Sequence, residues 1–210
     1  MLFHTTQFLI FFVIVYSLYR VLPHRGQNLL LLVGSYIFYG AWEWRYLSLI
    51  LFSTTVDYFV GHLIEGSESK AKAKKFVYLS LFVNLSLLCV FKYYDFFAAN
   101  FQTLMGQFGL EVHPYFLNVA LPIGISFYTF QTISYSVDVY RGKLKACRNY
   151  FDFALYVSFF PQLVAGPIER GVRLLPQIIN PRNVTTNDLM EGLYAIMWGL
   201  FMKVVIADNL

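Results

Sequence analysis

The sequence predicts an all-α fold, a polytopic integral membrane helix bundle with a re-entrant segment. Its 210 residues are 58% hydrophobic and only 13% charged, whereas soluble chains are about 45–50% apolar and about 25% charged. Long apolar stretches recur along the chain, as membrane-spanning helices require. Polar side chains and prolines interrupt the stretch 122–170. Because lipid cannot hydrogen-bond such groups, they indicate a polar cavity enclosed by protein within the membrane.

Apolar stretches divide the chain, and we treat them together as a single membrane domain, 1–210. They are 7–22, 28–42, 45–64, 76–97, 115–139, 151–165 and 189–206. The third, fourth, fifth and seventh are long enough for a span, which takes about 20 residues. The second and sixth have 15 residues each and would reach about 22 Å, against a hydrocarbon core of about 30 Å. We therefore expect these two stretches to be short, tilted or re-entrant.

Basic residues occupy alternate loops, and this pattern predicts the orientation of the chain in the membrane. The loops that contain them hold Arg20 and Arg25; Lys70, Lys72, Lys74 and Lys75; and Arg141, Lys143, Lys145 and Arg148. Loops rich in Lys and Arg stay in the cytoplasm, so we expect the amino terminus to lie outside. The net charge of +4 follows from this topology. Nucleic-acid binding would instead require basic residues along one soluble face, and no nucleic-acid partner is expected.

The fifth stretch carries a polar stripe along one face of its predicted helix. The stripe consists of Gly124, Tyr128, Gln131, Tyr135, Asp138 and Gly142, at steps of 4, 3, 4, 3 and 4. Residues three and four apart share a helix face. Two interpretations stay open for the stripe. It either packs against other helices through hydrogen bonds worth about 0.6 to 2 kcal/mol each, or it lines a polar cavity.

The sixth stretch is broken by two prolines. It reads YVSFFPQLVAGPIER at 156–170, with Pro161 and Pro167 six residues apart and Gly166 directly before the second. Proline removes a backbone donor and clashes with the preceding turn of a helix. Backbone groups near Pro161 and Gly166 therefore need partners from elsewhere in the protein, and the sequence predicts a re-entrant element here.

Two ordered motifs point to a family. The stretch LPIGISFYTFQTISYSVDVYRG at 121–142 is followed by YVSFFPQLVAGPIER at 156–170, and SYIFYG at 35–40 lies within the second apolar stretch, 28–42. Together they resemble the membrane-bound O-acyltransferases, most closely the bacterial branch that acts in alginate O-acetylation and in D-alanyl transfer to teichoic acids. The resemblance covers essentially the whole chain. It implies that the chain is the amino-terminal part of a longer protein.

The resemblance implies helices arranged around a central tunnel in the bacterial inner membrane. An acyl group, most simply acetyl, would pass from a cytoplasmic donor, an acyl-CoA or an acyl carrier protein, to a hydroxyl group. The acceptor would be an exported polysaccharide such as alginate, reached directly or through a periplasmic acyl-relay protein, and no cofactor is expected. The family's catalytic histidine lies in a Trp- and Arg-rich motif further along. His4, His24, His62 and His113 all fall at predicted span ends or in loops, so no catalytic residue is assigned and this chain alone is expected to be inactive.

Candidate site residues follow from the two motifs. Gln131, Tyr135 and Asp138 would line or support the tunnel. Its cytoplasmic mouth would be shaped by Pro161, Gln162, Gly166, Pro167, Arg170 and Arg173. The two arginines would attract an anionic donor or serve only membrane topology. A membrane transporter or channel and a non-catalytic membrane scaffold remain alternatives. Inverted internal repeats would favour a transporter, and the sequence contains no second copy of the polar stripe.

Overall fold

A computed structural model describes residues 3, 5–117, 122–163 and 166–209, and the regular structure within these ranges is helical. The α-helices are α1 (Thr6–Val21), α2 (His24–Glu43), α3 (Leu47–Glu65), α4 (Lys70–Leu88), α5 (Tyr94–Gln107), α6 (Ile125–Tyr140), α7 (Tyr150–Ser158), α8 (Phe160–Leu163), α9 (Gly171–Ile179) and α10 (Thr186–Phe201). A 3-10 turn, Trp44–Tyr46, separates α2 from α3. The predicted all-α helix bundle is confirmed.

Within the described residues, three continuous helical runs are long and apolar enough to cross a membrane. They are His24–Glu65, Lys70–Gln107 and Thr186–Ala207. Many large apolar side chains on their surfaces, such as Phe52, Phe82 and Trp198, are exposed to more than half of their area. Exposed apolar surface on this scale is found on proteins that contact lipid or other protein. The chain is therefore a multi-pass membrane protein, as its composition predicts.

Two helices are longer than the sequence pattern predicts. Helix α2 has 20 residues instead of 15, because it starts at His24 directly after Pro23 and includes polar residues that the apolar pattern leaves out. The fourth stretch, predicted to end at Phe97, continues to Gln107 without interruption, since a π-helical segment, Cys89–Tyr93, joins α4 to α5. The expectation of a short second stretch was therefore wrong.

The fifth stretch is shorter than predicted. Helix α6 begins only at Ile125 and has 16 residues, which gives about 24 Å at about 1.5 Å per residue. Gly124 precedes it with φ +78°, and a Cβ at this position would lie 2.5 Å from the carbonyl oxygen of Leu163. Only glycine fits such a left-handed, close-packed position. Pro122 and Gly124 therefore stand directly before the start of α6, and residues 118–121 lie outside the described residues.

The predicted break in the sixth stretch is also present. Helix α7 ends at Ser158, Phe159 leaves the helical conformation with ψ 109°, and α8 starts at Phe160. The amide of Phe160 donates to Oγ of Ser35 in α2 at 3.1 Å. A neighbouring helix thus satisfies a backbone group freed by the break, as the membrane interior requires. The re-entrant path of this segment stays a prediction.

Helix packing places α6 and α7 at the centre of the bundle. Helices α3, α4 and α6 pack mutually, while α7 packs against α2, α3 and α9. Tyr128 and Tyr135 of α6 and Phe153 and Tyr156 of α7 have no exposed surface. Helix α10, in contrast, buries none of its residues against the rest of the described chain. The core therefore lies between α2, α3, α4, α6 and α7.

Candidate functional site

A network of polar side chains lies where α3, α4 and α6 meet, and Asp57 is at its centre. The carboxylate Oδ1 accepts from Oγ of Ser80 at 2.5 Å and from Oγ of Ser136 at 3.2 Å. Its Oδ2 accepts from Nδ2 of Asn84 at 2.6 Å. All four side chains are at most 1% exposed. Asp57 of α3 thereby accepts hydrogen bonds from two neighbouring helices, α4 and α6.

The network continues through the amide of Asn84. Its Oδ1 accepts from Oγ of Ser53 at 2.7 Å and from Oγ1 of Thr132 at 3.2 Å. Its Nδ2 also donates to the carbonyl of Ser80 at 3.0 Å. Buried polar groups are tolerated when they are hydrogen-bonded, and both ends of this amide are. Helices α3, α4 and α6 are thus held in one register by polar contacts.

Sequence reasoning missed this network, although its pattern is present in three apolar stretches. Each stretch contains a polar pair four residues apart, and the pairs are Ser53 and Asp57, Ser80 and Asn84, and Thr132 and Ser136. Residues four apart share a helix face. An acid inside a membrane helix marks a functional or structural site, and Asp57 lies in the middle of the third stretch. The spacing of these pairs shows that each helix has a polar face, but it does not show that the three faces pack against one another.

Two of the predicted tunnel residues make contacts between helices. Nε2 of Gln131 donates to the carbonyl of Tyr156 at 2.7 Å, and the hydroxyl of Tyr156 donates back to the carbonyl of Gln131 at 3.2 Å. Tyr135 accepts the backbone N–H of Cys147 at 3.1 Å on its hydroxyl. Its ring lies 4.5 Å from that of Phe153, measured between centroids. Both side chains therefore tie α6 to α7 and to the loop before it.

Asp138, the third predicted tunnel residue, is 5% exposed. Its backbone carbonyl accepts from the amide of Lys143 at 3.0 Å. Among the described residues its Oδ2 has no hydrogen-bond partner. The three residues share one face of α6, as predicted, and their lining of a tunnel stays a prediction.

The predicted mouth residues gather around α8 and α9. A cavity of about 460 Å³ is lined by Phe159, Gln162, Glu169, Arg173, Leu174 and Gln177. Pro161 lines a neighbouring cavity of about 270 Å³ that shares three of these residues. Pro167 and Arg170 are exposed. The structure therefore brings Pro161, Gln162 and Arg173 together, with the carboxylate of Glu169 beside Arg173 in the same cavity.

Gly166 lies against Gln162 of α8. Its amide donates to the carbonyl of Gln162 at 3.1 Å, and a Cβ on it would lie 2.8 Å from Cα of Gln162. A side chain at this position would therefore collide with the backbone of α8. Residues 164 and 165, within the same motif, lie outside the described residues.

Two loops that the charge pattern assigns to the same membrane face lie together. Arg148 pairs with Glu65 at 3.1 Å, and Tyr58 donates its hydroxyl to the carbonyl of Arg148 at 2.8 Å. Lys70 and Lys145 line a common cavity of about 290 Å³. These contacts agree with the prediction that both loops lie on the same side of the membrane. Which side that is stays a prediction.

Cys147 lies in the second of these loops and is buried. Burial raises the pKa of its thiol to about 11. A thiol is nucleophilic only as the thiolate, so Cys147 is protonated and unreactive at neutral pH. Its sulfur instead donates to the carbonyl of Asn149 at 3.4 Å, which fixes the loop before α7.

Comparison with known proteins adds a consistent set of relatives. The chain is 42% identical to a protein of Pseudomonas putida named "Probable alginate O-acetylase AlgI", and covers 43% of that protein. It is 39% identical to the protein of the same name from Pseudomonas aeruginosa, of which it covers 40%. It is 34% identical to a "Peptidoglycan O-acetyltransferase" of Helicobacter pylori, of which it covers 45%. Each alignment includes 100% of this chain. No family model and no solved structure matches significantly.

Proposed function

We propose that this chain corresponds to the amino-terminal part of a membrane-bound O-acyltransferase of the bacterial O-acetylase branch. From this premise, we propose that the whole protein acetylates an exported cell-envelope polysaccharide. The observation that carries the proposal is similarity along the entire chain, at 34–42% identity, to proteins named for alginate and peptidoglycan O-acetylation. Both named acceptors are sugar polymers with free hydroxyl groups. The chain spans less than half the length of these relatives, so the activity is proposed for the whole protein.

The proposed reaction is acyl transfer from a thioester to a sugar hydroxyl. The hydroxyl oxygen attacks the thioester carbonyl, a new C–O bond forms, and the C–S bond breaks. A general base takes the hydroxyl proton and returns it to the departing thiolate. The resemblance implies that a histidine further along than residue 210 is this base. The present chain would contribute the wall of the tunnel and its mouth.

The described contacts support a structural role for this part of the protein. The Asp57 network holds α3, α4 and α6 together, and the Gln131–Tyr156 pair joins α6 to α7. Catalysis requires reacting groups to be held within narrow limits, and a rigid helix frame provides this. Gln131, Tyr135 and Asp138 would support the tunnel from α6, while the α8–α9 cavity lined by Gln162 and Arg173 would form its mouth.

The proposal places the protein in the bacterial inner membrane with its amino terminus outside. Basic loops that lie together, through Arg148 and Glu65, support a common cytoplasmic side. The donor, an acyl-CoA or an acyl carrier protein, would approach from that side. The acceptor would lie on the other side, as the polysaccharide itself or as an acyl-relay protein.

The experiment is deletion of the gene in its own bacterium, followed by measurement of ester-linked acetyl in each exported polysaccharide. We expect one polymer to lose its O-acetyl groups and to regain them when the full-length gene is restored. A variant in which the downstream histidine is replaced should not restore them. Unchanged acetylation in the deletion strain, or full restoration by the histidine variant, would overturn the proposal.

A further inference from the structure

A groove beside α1 combines a long apolar wall with a cationic end. Its volume is about 270 Å³, and its lining is almost entirely apolar except at one end. The lining residues come from α1, α2, α7, α8, α9 and the segments next to α8 and after α9, and include Phe12, Tyr16, Tyr19, Leu31, Phe159 and Arg182. We call this the α1 groove. It lies outside the Asp57 network and adjoins the cavity proposed as the tunnel mouth, with which it shares Phe159, Leu174 and Gln177.

The wall formed by α1 is a ladder of stacked aromatic rings. The rings of Phe12 and Tyr16 are 6.0 Å apart with an interplanar angle of 14°, and those of Tyr16 and Tyr19 are 6.4 Å apart at 19°. From Phe12 to Tyr19 the helix rises about 10 Å, at about 1.5 Å per residue. Near-parallel rings at this spacing make a flat, straight apolar surface. Such a surface suits an extended hydrocarbon chain.

The ladder ends at Arg182. The guanidinium of Arg182 lies over the ring of Tyr19, with its carbon 5.3 Å from the ring centroid. Its Nη2 donates to Oδ1 of Asn28. Asn28 in turn donates to Oδ1 of Asp152 at 2.8 Å, so an amide lies between this carboxylate and the guanidinium. Arg182 is thereby fixed at the polar end of the groove by residues that do not neutralise it by direct pairing.

Two buried donors of groove-lining residues have no partner among the described residues. They are Nε of Arg182 and the hydroxyl of Tyr16. Buried donors in native structures are almost always hydrogen-bonded. A guanidinium with a free N–H is also the preferred partner of a phosphate group. The groove therefore ends on a positive charge with a free donor, and Tyr16 supplies a second free donor one ring further along the wall.

Other charged residues lie near the Arg182 end of the groove. Arg20 donates to the carbonyl of Val184 at 3.4 Å and adds a second cation beside the 182–184 segment. Arg173 and Glu169 face the adjoining cavity, and Asp152 is engaged by Asn28. The outer face of α1 is exposed and apolar at Val13, Ile14 and Leu18, as a lipid-facing helix surface is. Helix α1 thus has one apolar face free for lipid and another on the groove, whose end carries two cations of the kind that meet lipid headgroups.

We propose that the α1 groove binds one anionic phospholipid, with its phosphate on Arg182 and an acyl chain along Phe12, Tyr16 and Phe159. The positive charge selects an anionic over a zwitterionic headgroup. The apolar wall selects a membrane lipid over a water-soluble phosphate. The bound lipid would complete the packing of α1 against α7 and α9.

The test is native mass spectrometry of the detergent-purified protein incubated with equal amounts of phosphatidylglycerol and phosphatidylethanolamine. We expect one phosphatidylglycerol to be retained in preference. Arg182→Gln should weaken this retention about tenfold, the order of one charge-assisted hydrogen bond. Arg148→Gln removes an exposed arginine at the Glu65 pair and is the matched control, which should retain the lipid. Leu31→Phe keeps Arg182 but fills the groove, and should also lower retention.

Three results would overturn the proposal. One is equal retention of phosphatidylglycerol by Arg182→Gln and Arg148→Gln. Another is no preference between the two lipids in the unmodified protein. The third is displacement of the bound lipid by an equimolar acetyl-coenzyme A, which would assign the groove to an acyl donor. Circular dichroism of each variant checks that its helices are intact, and Leu31→Phe tests the groove independently if Arg182→Gln fails to fold.

Discussion

Asn84 of α4 donates its side-chain amide to the carboxylate of Asp57 of α3 at 2.6 Å, and this contact determines how the bundle centre is built. The same amide accepts from Ser53 and Thr132 on its oxygen. A carboxylate only accepts hydrogen bonds, whereas an amide both donates and accepts. Replacing only Asp57 with Asn, or only Asn84 with Asp, would therefore break hydrogen bonds between the two side chains. Their chemistry predicts how substitutions at each will behave.

Replacing Asp57 with alanine should destabilise the protein strongly. Three buried donors, from Ser80, Asn84 and Ser136, would lose their acceptor, at about 1–3 kcal/mol for each group left unpaired. Thermal unfolding in detergent measures the effect. The control is Glu68→Ala, which removes an exposed acid and should change stability by less than about 0.5 kcal/mol. Equal unfolding midpoints for the two variants would show that the network contributes nothing.

Exchanging the two residues should restore much of the stability lost by changing one. In Asp57→Asn, the new amide nitrogen faces that of Asn84, so two donors meet. In the double variant Asp57→Asn, Asn84→Asp, residue 57 would accept from Ser80 and Ser136 and donate to residue 84, which would still accept from Ser53 and Thr132. Only the bond from residue 84 to the carbonyl of Ser80 would be lost. A double-mutant cycle of unfolding midpoints measures the coupling. Additive losses in the double variant would contradict the described geometry.

Gly61 should not tolerate even alanine. A Cβ at Gly61 would lie 2.5 Å from the hydroxyl oxygen and 2.8 Å from Cε1 of Tyr135, and overpacking of this kind costs about 1–3 kcal/mol. Gly192 is the matched control, because it is also helical and a Cβ there meets no atom within 4 Å. We expect Gly61→Ala to lower the unfolding midpoint and Gly192→Ala to leave it unchanged or raise it. Similar behaviour of the two variants would mean that Tyr135 does not pack on α3.

The thiol of Cys147 should react slowly with maleimides at neutral pH and faster as pH rises. Its pKa is raised from 9.0 to about 11 by burial, so the thiolate fraction grows about tenfold per pH unit until about pH 11. The raised pKa also means that stability from the buried neutral thiol is present below about pH 9 and is lost as pH approaches 11. Labelling in a Cys89→Ser background between pH 7 and 10 measures the rate. A rate that levels off below pH 9 would contradict the raised pKa.

The sequence predicted the elements whose boundaries are marked by strong local chemistry. A break before Pro161 was predicted because proline cannot continue the α7 helix, and it is found at Phe159. The start of α6 directly after Pro122 and Gly124 follows from the same kind of local chemistry. In both cases a single residue type dictates the backbone, so no knowledge of neighbouring helices is needed.

Other features depend on neighbours and were not predicted. The apolar pattern placed the start of α2 at residue 28, because His24 and Arg25 are polar although helical. No residue type in the sequence signals the π-helical segment Cys89–Tyr93 that joins α4 to α5. The Asp57 network depends on three helices meeting in one register, and periodicity within a single helix cannot show this. Gln131 and Tyr135 were correctly placed on one face of α6, but their partners Tyr156 and Cys147 follow only from the packing.

The most direct test of the account is acetyl transfer in inner-membrane vesicles that contain the full-length protein. An isotope-labelled acetyl thioester is supplied on the cytoplasmic side with the exported polysaccharide on the other. The account predicts labelled ester in the polymer, released by mild base, that depends on the protein. Entry of the labelled donor or polymer into vesicles without ester formation would instead indicate a transporter and would contradict the account.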